Sequence, residues 1–191
     1  MYKRHLTILI FLISLFCIVA SSYAFEFSAD TVMTSEGHKM TGKIYAKSDR
    51  FRMEVTKPEH MITITRMDKK VVWNIMPSEK MYMEMPFDPR QAPKTEIIGE
   101  IDRKLMGSET IDGHPTKKYL ITYRDGKRTD KVYQWWATDI NFPVKTADVN
   151  NHWVQEYKNI KLGSQPNSLF EVPSGYSKMN MPAMPGGMNF R

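Results

Sequence analysis

The stretch Met40-Thr41-Gly42-Lys43-Ile44-Tyr45-Ala46-Lys47-Ser48-Asp49-Arg50-Phe51-Arg52-Met53-Glu54-Val55 decides the fold class. In its first half Met40, Gly42, Ile44 and Ala46 alternate with Thr41, Lys43, Tyr45 and Lys47. After Ser48-Asp49 the alternation resumes, with Phe51, Met53 and Val55 opposed by Arg50, Arg52 and Glu54. A period of two marks a strand with one buried face, and two such runs across a short polar turn read as an antiparallel hairpin. Upstream, Phe25, Phe27, Ala29, Thr31 and Met33 share one face of another strand, against Glu26, Ser28 and Asp30. Turn pairs recur about every ten residues, the spacing of a β-meander: Glu36-Gly37, Pro58-Glu59, Asp68-Lys69, Pro77-Ser78, Asp112-Gly113, Asp125-Gly126 and Asn150-Asn151. The pattern predicts a mainly β, antiparallel sheet of about eleven strands, near 25–34, 38–47, 50–57, 60–67, 70–76, 80–85, 105–111, 115–124, 130–137, 142–149 and 152–161.

One interval departs from the pattern. Pro86-Phe87-Asp88-Pro89-Arg90-Gln91-Ala92-Pro93 is a proline-punctuated connector, after which Ile97, Ile98, Ile101 and Leu105 fall on one helical stripe. This predicts a single substantial helix over Thr95–Lys104, beginning after the last proline. Eleven strands about 4.8 Å apart would span roughly 50 Å if flat, whereas a ten-residue helix is about 15 Å long. Such a helix cannot cover the sheet, so the sheet is expected to curl into an incomplete β-barrel with a helical lid. Its concave side must then be filled by side chains, by the C-terminal tail or by a ligand. The candidate lining is Phe27, Met40, Ile44, Phe51, Met53, Met81, Met83 and Met85, with Ile98 and Ile101 from the helix; Met61 and Met76 stand on neighbouring strands. Unbranched thioethers adapt to ligands of variable shape; ordinary core packing is the competing reading for each one.

The N-terminus reads as an export signal. Lys3 and Arg4 precede the fifteen apolar residues Leu6–Ala20, and Ser22-Tyr23-Ala24 places small residues where a signal peptidase cuts. The run is short of the about 20 residues of a membrane span, which favours a cleaved signal over 1–24 against an uncleaved anchor. Phe16 before Cys17 argues against a lipoprotein signal. Cys17 is the only cysteine, so the remaining 167 of the 191 residues have no thiol for a disulfide, for catalysis or for zinc. They suit one domain over 25–177, with a Met/Pro/Gly-rich tail over 178–191 expected to be flexible. Loss of Lys3 and Arg4 takes the formal charge from +6 to +4. Acidic residues interleave the basic ones, so no single basic block stands out; export disfavours nucleic acid as a partner, and contact with an anionic membrane surface stays open.

No catalytic motif is present. His38, His60, His114 and His152 are scattered, without H-E-x-x-H or G-x-S-x-G, and Gly126-Lys127-Arg128-Thr129 lacks the earlier glycine of a phosphate loop. The expectation is a non-enzymatic protein without a cofactor. One rival class is metal handling: Met179, Met181, Met184 and Met188 form a thioether cluster, to which His38 and Met40 could add ligands, and soft thioethers select Cu(I). The prolines and glycines among them equally describe an unstructured end.

The order of short motifs resembles the LolA/LolB-like periplasmic lipoprotein carriers and their lipoprotein-sorting relatives, over roughly residues 26–177. Phe27-Ser28-Ala29-Asp30 followed by Gly37 and Gly42 looks like the family's opening hairpin, and Lys47 with Arg50-Phe51-Arg52-Met53-Glu54 looks like its third strand. Asp68-Lys69-Lys70-Val71-Val72-Trp73 is similar to "D-G-K-x-x-W", with Lys69 in place of glycine. Trp135-Trp136-Ala137-Thr138-Asp139 with Pro143-Val144-Lys145 resembles the late hairpin, and Leu169-Phe170-Glu171-Val172-Pro173-Ser174-Gly175-Tyr176 the closing "L-F-x-x-P-x-G-Y". The resemblance implies a half-barrel with a helical lid, a periplasmic location and an apolar cavity for lipid or lipoprotein acyl chains. It also implies a place in lipoprotein transport to the outer membrane, with a lipid-sensing regulator as the alternative use of the same pocket. Two family features are missing: the helix ahead of the first strand, and the lid-latching arginine of "K-R-P", where this chain has Lys47-Ser48-Asp49.

Overall fold

The computed structural model describes residues 26–88 and 96–179. The signal segment, most of the proline connector and the tail beyond Met179 lie outside these. The strands are β1 (Phe27–Ser35), β2 (His38–Lys47), β3 (Arg50–Lys57), β4 (Met61–Arg66), β5 (Val71–Met76), β6 (Met81–Pro86), β7 (Glu100–Ile111), β8 (His114–Asp125), β9 (Arg128–Ala137), β10 (Phe142–Asp148), β11 (Trp153–Leu162) and β12 (Ser177–Lys178). They form one sheet in the order β12-β6-β5-β4-β3-β2-β1-β11-β10-β9-β8-β7. The fold is mainly β, as the alternation predicts, the sheet stays open, as expected of an incomplete barrel, and ten of the eleven expected strands fall within a few residues of their places.

Local chemistry explains the match. Each polar turn pair closes a hairpin whose register then aligns like with like: Ser35 pairs with His38 across Glu36-Gly37, and Lys47 pairs with Arg50 across Ser48-Asp49. Apolar residues of neighbouring strands therefore stand opposite one another, and a slip by one residue would turn every one of them to the wrong face.

Among the described residues 96–104 the predicted helix is not formed, and residues 100–111 are the edge strand β7. Gly99, with φ +78°, turns the chain into that strand; a side chain there would collide with the backbone oxygen of Arg124. Arg124 in turn donates its N–H to the Gly99 carbonyl at 2.9 Å. The helical stripe loses because β8 has a long free edge, and pairing satisfies its backbone groups from Tyr123 down to His114. Irregularities at Glu100/Asp102 and Leu105/Gly107 break the two-residue period inside β7, which hid the strand in the sequence.

The sheet is strongly coiled. Asp112, in the β7–β8 turn, accepts a hydrogen bond from the backbone N–H of Asn159 in β11 at 2.6 Å. Three strand spacings separate β8 from β11, about 14 Å if flat. The main core joins Phe27, Ala29, Ile44 and Ala46 of β1–β2 to Trp135, Ala137, Phe142, Val144 and Ala147 of β9–β10. Phe142 lies 4.8 Å from the Phe27 ring and 5.2 Å from the Tyr157 ring, in tilted contacts. A second core holds Ile62, Ile64, Trp73 and Ile75 around Phe170.

Candidate functional site

The register places most of the predicted lining on one face, here the front. Phe27, Ala46, Phe51, Thr65, Val72 and Met85 make one row across β1–β6, and Ala29, Ile44, Met53, Thr63, Asn74 and Met83 make the next. Tyr157, Thr31, Gly42, Val55 and Met61 make a third. Met76 and Met81, paired with each other, extend it over β5 and β6.

Burial changes along these rows. Phe27 and Ile44 are sealed in the main core at 3% and 1% exposure, so they support the face and do not line a space. Phe51 and Met53 pack against that core from its margin. Beyond them Met76, Met81, Met83 and Met85 are partly exposed and Met61 is 45% exposed. None of the apolar front-face side chains of β4–β6 belongs to either buried core. A Thr63 hydroxyl donating to Asn74 at 2.9 Å is a polar pair in the middle of this area.

Three predicted residues lie elsewhere. Met40 shares the front face but sits near the β1–β2 turn, opposite Met33 and exposed. Ile98 and Ile101 belong to the approach to β7 and to β7 itself, and are 67% and 55% exposed. Next to them is a cleft of about 470 Å³ lined by Glu96, Ile97, Glu100, Arg103, Tyr119 and Trp136. Arg103 spans it, donating to both Glu100 oxygens at 2.8 and 2.7 Å and lying over the Tyr119 ring.

The reverse face of β3–β6 is closed. The segment from Gly163 to Lys178 crosses it as a strap, with a short 3-10 helix at Asn167–Phe170. Phe170, at 0% exposure, is inserted among Ile62, Ile64, Trp73 and Ile75. Basic side chains of the sheet hold the strap's oxygens: Lys47 Nζ donates to Gln165 O at 3.1 Å, Arg52 to Leu169 O at 3.2 Å and Arg66 to Phe170 O at 3.0 Å. Arg66 also binds Glu171 and forms a two-bond pair with Asp68. That hydrogen bonding from Arg66 holds the Asp68 carboxyl down at about 2. Burial alone would raise the Glu171 carboxyl, but Lys69 and Arg66 outweigh it and its pKa is lowered. At the far end Ser177 N–H donates to Lys80 O and Met179 N–H to Tyr82 O, so β12 runs parallel to β6.

Sequence reasoning missed this strap and its arginines. The signal was present in Ile62-Thr63-Ile64-Thr65-Arg66: Arg66 shares the parity of two isoleucines, which places a charge on an apolar face and demands a partner there.

Residues 25–141 match the family model described as a domain of unknown function, DUF4412. The chain belongs to the DUF4412 family. No curated protein matches this DUF4412 chain. Among solved structures it is similar to MucB in complex with MucA(peri), with a TM-score of 0.55 and 14% identity over 82% of this chain and 57% of that one. The MucA/MucB complex of Pseudomonas aeruginosa gives 0.52 and 16%, over 78% and 58%. The Mycobacterium tuberculosis lipoprotein LppX gives 0.46 and 11%, over 71% and 84%. The DUF4412 chain thus spans a little over half the length of the MucB chains it matches. At these identities the likeness is one of fold, and the fold is LolA-like, as the sequence resemblance implied.

Proposed function

We propose that this DUF4412 protein is an exported, non-enzymatic binding protein that holds an acyl chain of a lipid or lipoprotein against the front face of β3–β6. One observation carries the reading. The two faces of the same four strands are treated differently: the reverse is sealed by the Phe170 strap, while the front presents Phe51, Met53, Val55, Met61, Val72, Met76, Met81, Met83 and Met85 without joining either core beyond β3. An apolar area of that kind, lying around the Thr63–Asn74 pair, suits a binding surface, and the methionines let it conform to a chain of variable length and kink. The signal-like segment 1–24 supports export, and among the described residues no helix is long and apolar enough to cross a membrane. The LolA-like fold supports a role in lipoprotein handling towards the outer membrane.

A fluorescent long-chain fatty acid tests it. The protein should bind the probe saturably. Met83→Glu places an unpaired carboxylate on the front face, and its desolvation costs several kcal/mol, so affinity should fall more than about tenfold, which is 1.4 kcal/mol. Ser78→Glu, in the exposed β5–β6 turn, should change it less than about twofold, since an exposed turn charge is barely desolvated. Tyr82 is no control, because it packs against the Phe170 core. Absence of saturable binding, or equal loss in both folded variants, overturns the reading.

A further inference from the structure

Three thioethers stand in cross-strand register at one corner of the front face. Met76 pairs with Met81 across β5 and β6. Ile62 pairs with Ile75 across β4 and β5, so Met61 stands opposite Met76 one pair further out. Met61, Met76 and Met81 thus occupy the same face of three consecutive strands, at the end where the Pro77–Lys80 turn closes β5 onto β6. Directly opposed side chains hold their Cβ atoms about 5 Å apart, and the outer strands are about 10 Å apart. Each methionine sulfur stands two bonds beyond Cβ on an unbranched arm, so the outer two can lean inward and meet the third above Met76. The corner is open to solvent, with Met61 45% exposed and the other two partly so.

The donor set is chemically selective. Three neutral, polarizable sulfurs suit a soft monovalent ion, whereas hard or divalent ions want carboxylate, imidazole or thiolate. Among the described residues no group of three or more His, Cys, Asp or Glu could hold a metal. We propose that Met61, Met76 and Met81 form a binding site for one Cu(I) or Ag(I) ion. The site goes beyond the acyl-chain reading and is separable from it: an acyl chain needs apolar volume at these positions, whereas the ion needs sulfur. It is also made of other residues than the terminal methionines Met179, Met181, Met184 and Met188.

Leucine replaces methionine with nearly conserved volume, which makes the separation measurable. The full chain is titrated with Ag(I), and with Cu(I) under anaerobic competition against bicinchoninate, beside the fatty-acid probe. The unmodified protein should bind one ion tighter than about 1 µM. The triple variant M61L/M76L/M81L should bind it at least a hundredfold more weakly while its thermal melt stays close to that of the unmodified protein, because volume is kept. M179L/M181L/M184L/M188L should retain the ion. If the triple variant does not fold, a folded Met76→Leu single variant takes its place and should bind the ion at least tenfold more weakly. No ion bound tighter than about 1 µM, or an ion kept by the trio variant and lost from the terminal one, overturns the proposal. Intact ion binding without probe binding would instead sink the acyl-chain reading alone.

Discussion

Phe170→Ala should loosen the strap and lower stability more than any other single truncation on the reverse face. The ring is fully buried, against two strands of isoleucine and Trp73, in a core of only five buried residues. Removing a buried phenylalanine ring costs about 3–5 kcal/mol, the transfer term plus the cavity left behind. Relaxation cannot recover much of it here. The backbone on either side of the ring is pinned by Arg52 to Leu169 O and by Arg66 to Phe170 O, so the strap cannot slide a smaller side chain into the gap. For a domain of this size 1 kcal/mol moves Tm by about 2–4 °C, so a fall of roughly 10 °C is expected. Urea unfolding followed by tryptophan fluorescence measures it, with Trp73 as a reporter inside the cluster. Leu162→Ala is the comparison, since Leu162 is 57% exposed and should cost less than about 0.5 kcal/mol. A Phe170→Ala loss below about 1 kcal/mol would show that the ring is not seated as described.

Acid should release the same region. The folded Asp68 carboxyl titrates at about 2, below its ordinary 3.8, because Arg66 hydrogen-bonds its charged form. The folded state therefore binds that proton less readily than the unfolded one, so the stabilisation is complete above about pH 4 and disappears as pH falls towards 2. Urea midpoints between pH 5 and 2 should fall for the native protein, and Asp68→Asn should start lower and show a shallower fall; a parallel fall in both would refute the assignment. Gly42→Ala should be badly tolerated, because the added methyl meets the backbone oxygen of Glu54 across the β2–β3 ladder. It should cost at least about 2 kcal/mol, as overpacking of a closed site does, and an unchanged thermal melt would contradict that close approach.

Most of the sheet was legible because hairpins are local. Ser48-Asp49 and Glu36-Gly37 sit between runs of strict alternation, so period and turn chemistry agree, and register follows from turn length alone. The candidate face was legible for the same reason: once alternation is right, Met81, Met83 and Met85 must share a side, and the meander puts them on the same face as Met53 and Phe51, with β4 and β5 between. Depth was not legible. Phe27 and Ile44 look like lining in the sequence, yet coiling of the sheet brings Phe142 and Tyr157 onto Phe27, and nothing in a two-residue period encodes which part of a face closes. The Ile97–Leu105 stripe misled because Gly99 and two bulges disguise a strand as a helix. The strap was invisible as a structure because it is held by side chains more than a hundred residues away, such as Arg66 with Phe170.

The two residues of β12 have a consequence out of proportion to their length. The sheet has two margins, and natural β proteins protect margins against pairing with other molecules. Along β7 the protection is electrostatic and geometric, with Glu100, Asp102, Arg103 and Lys104 on a strand broken by two bulges. Along β6 the sequence is Met81-Tyr82-Met83-Glu84-Met85-Pro86, with a single charge, and Ser177–Lys178 pairs with its first two residues, Met81 and Tyr82. Lys178 further ties that charge down through Glu84 at 2.7 Å. A chain ending at Tyr176 would keep its Phe170 plug, and with it most of its folding free energy, but would expose a methionine-rich strand with unsatisfied backbone groups. Its fate would be decided by concentration, through the aggregation of folded molecules.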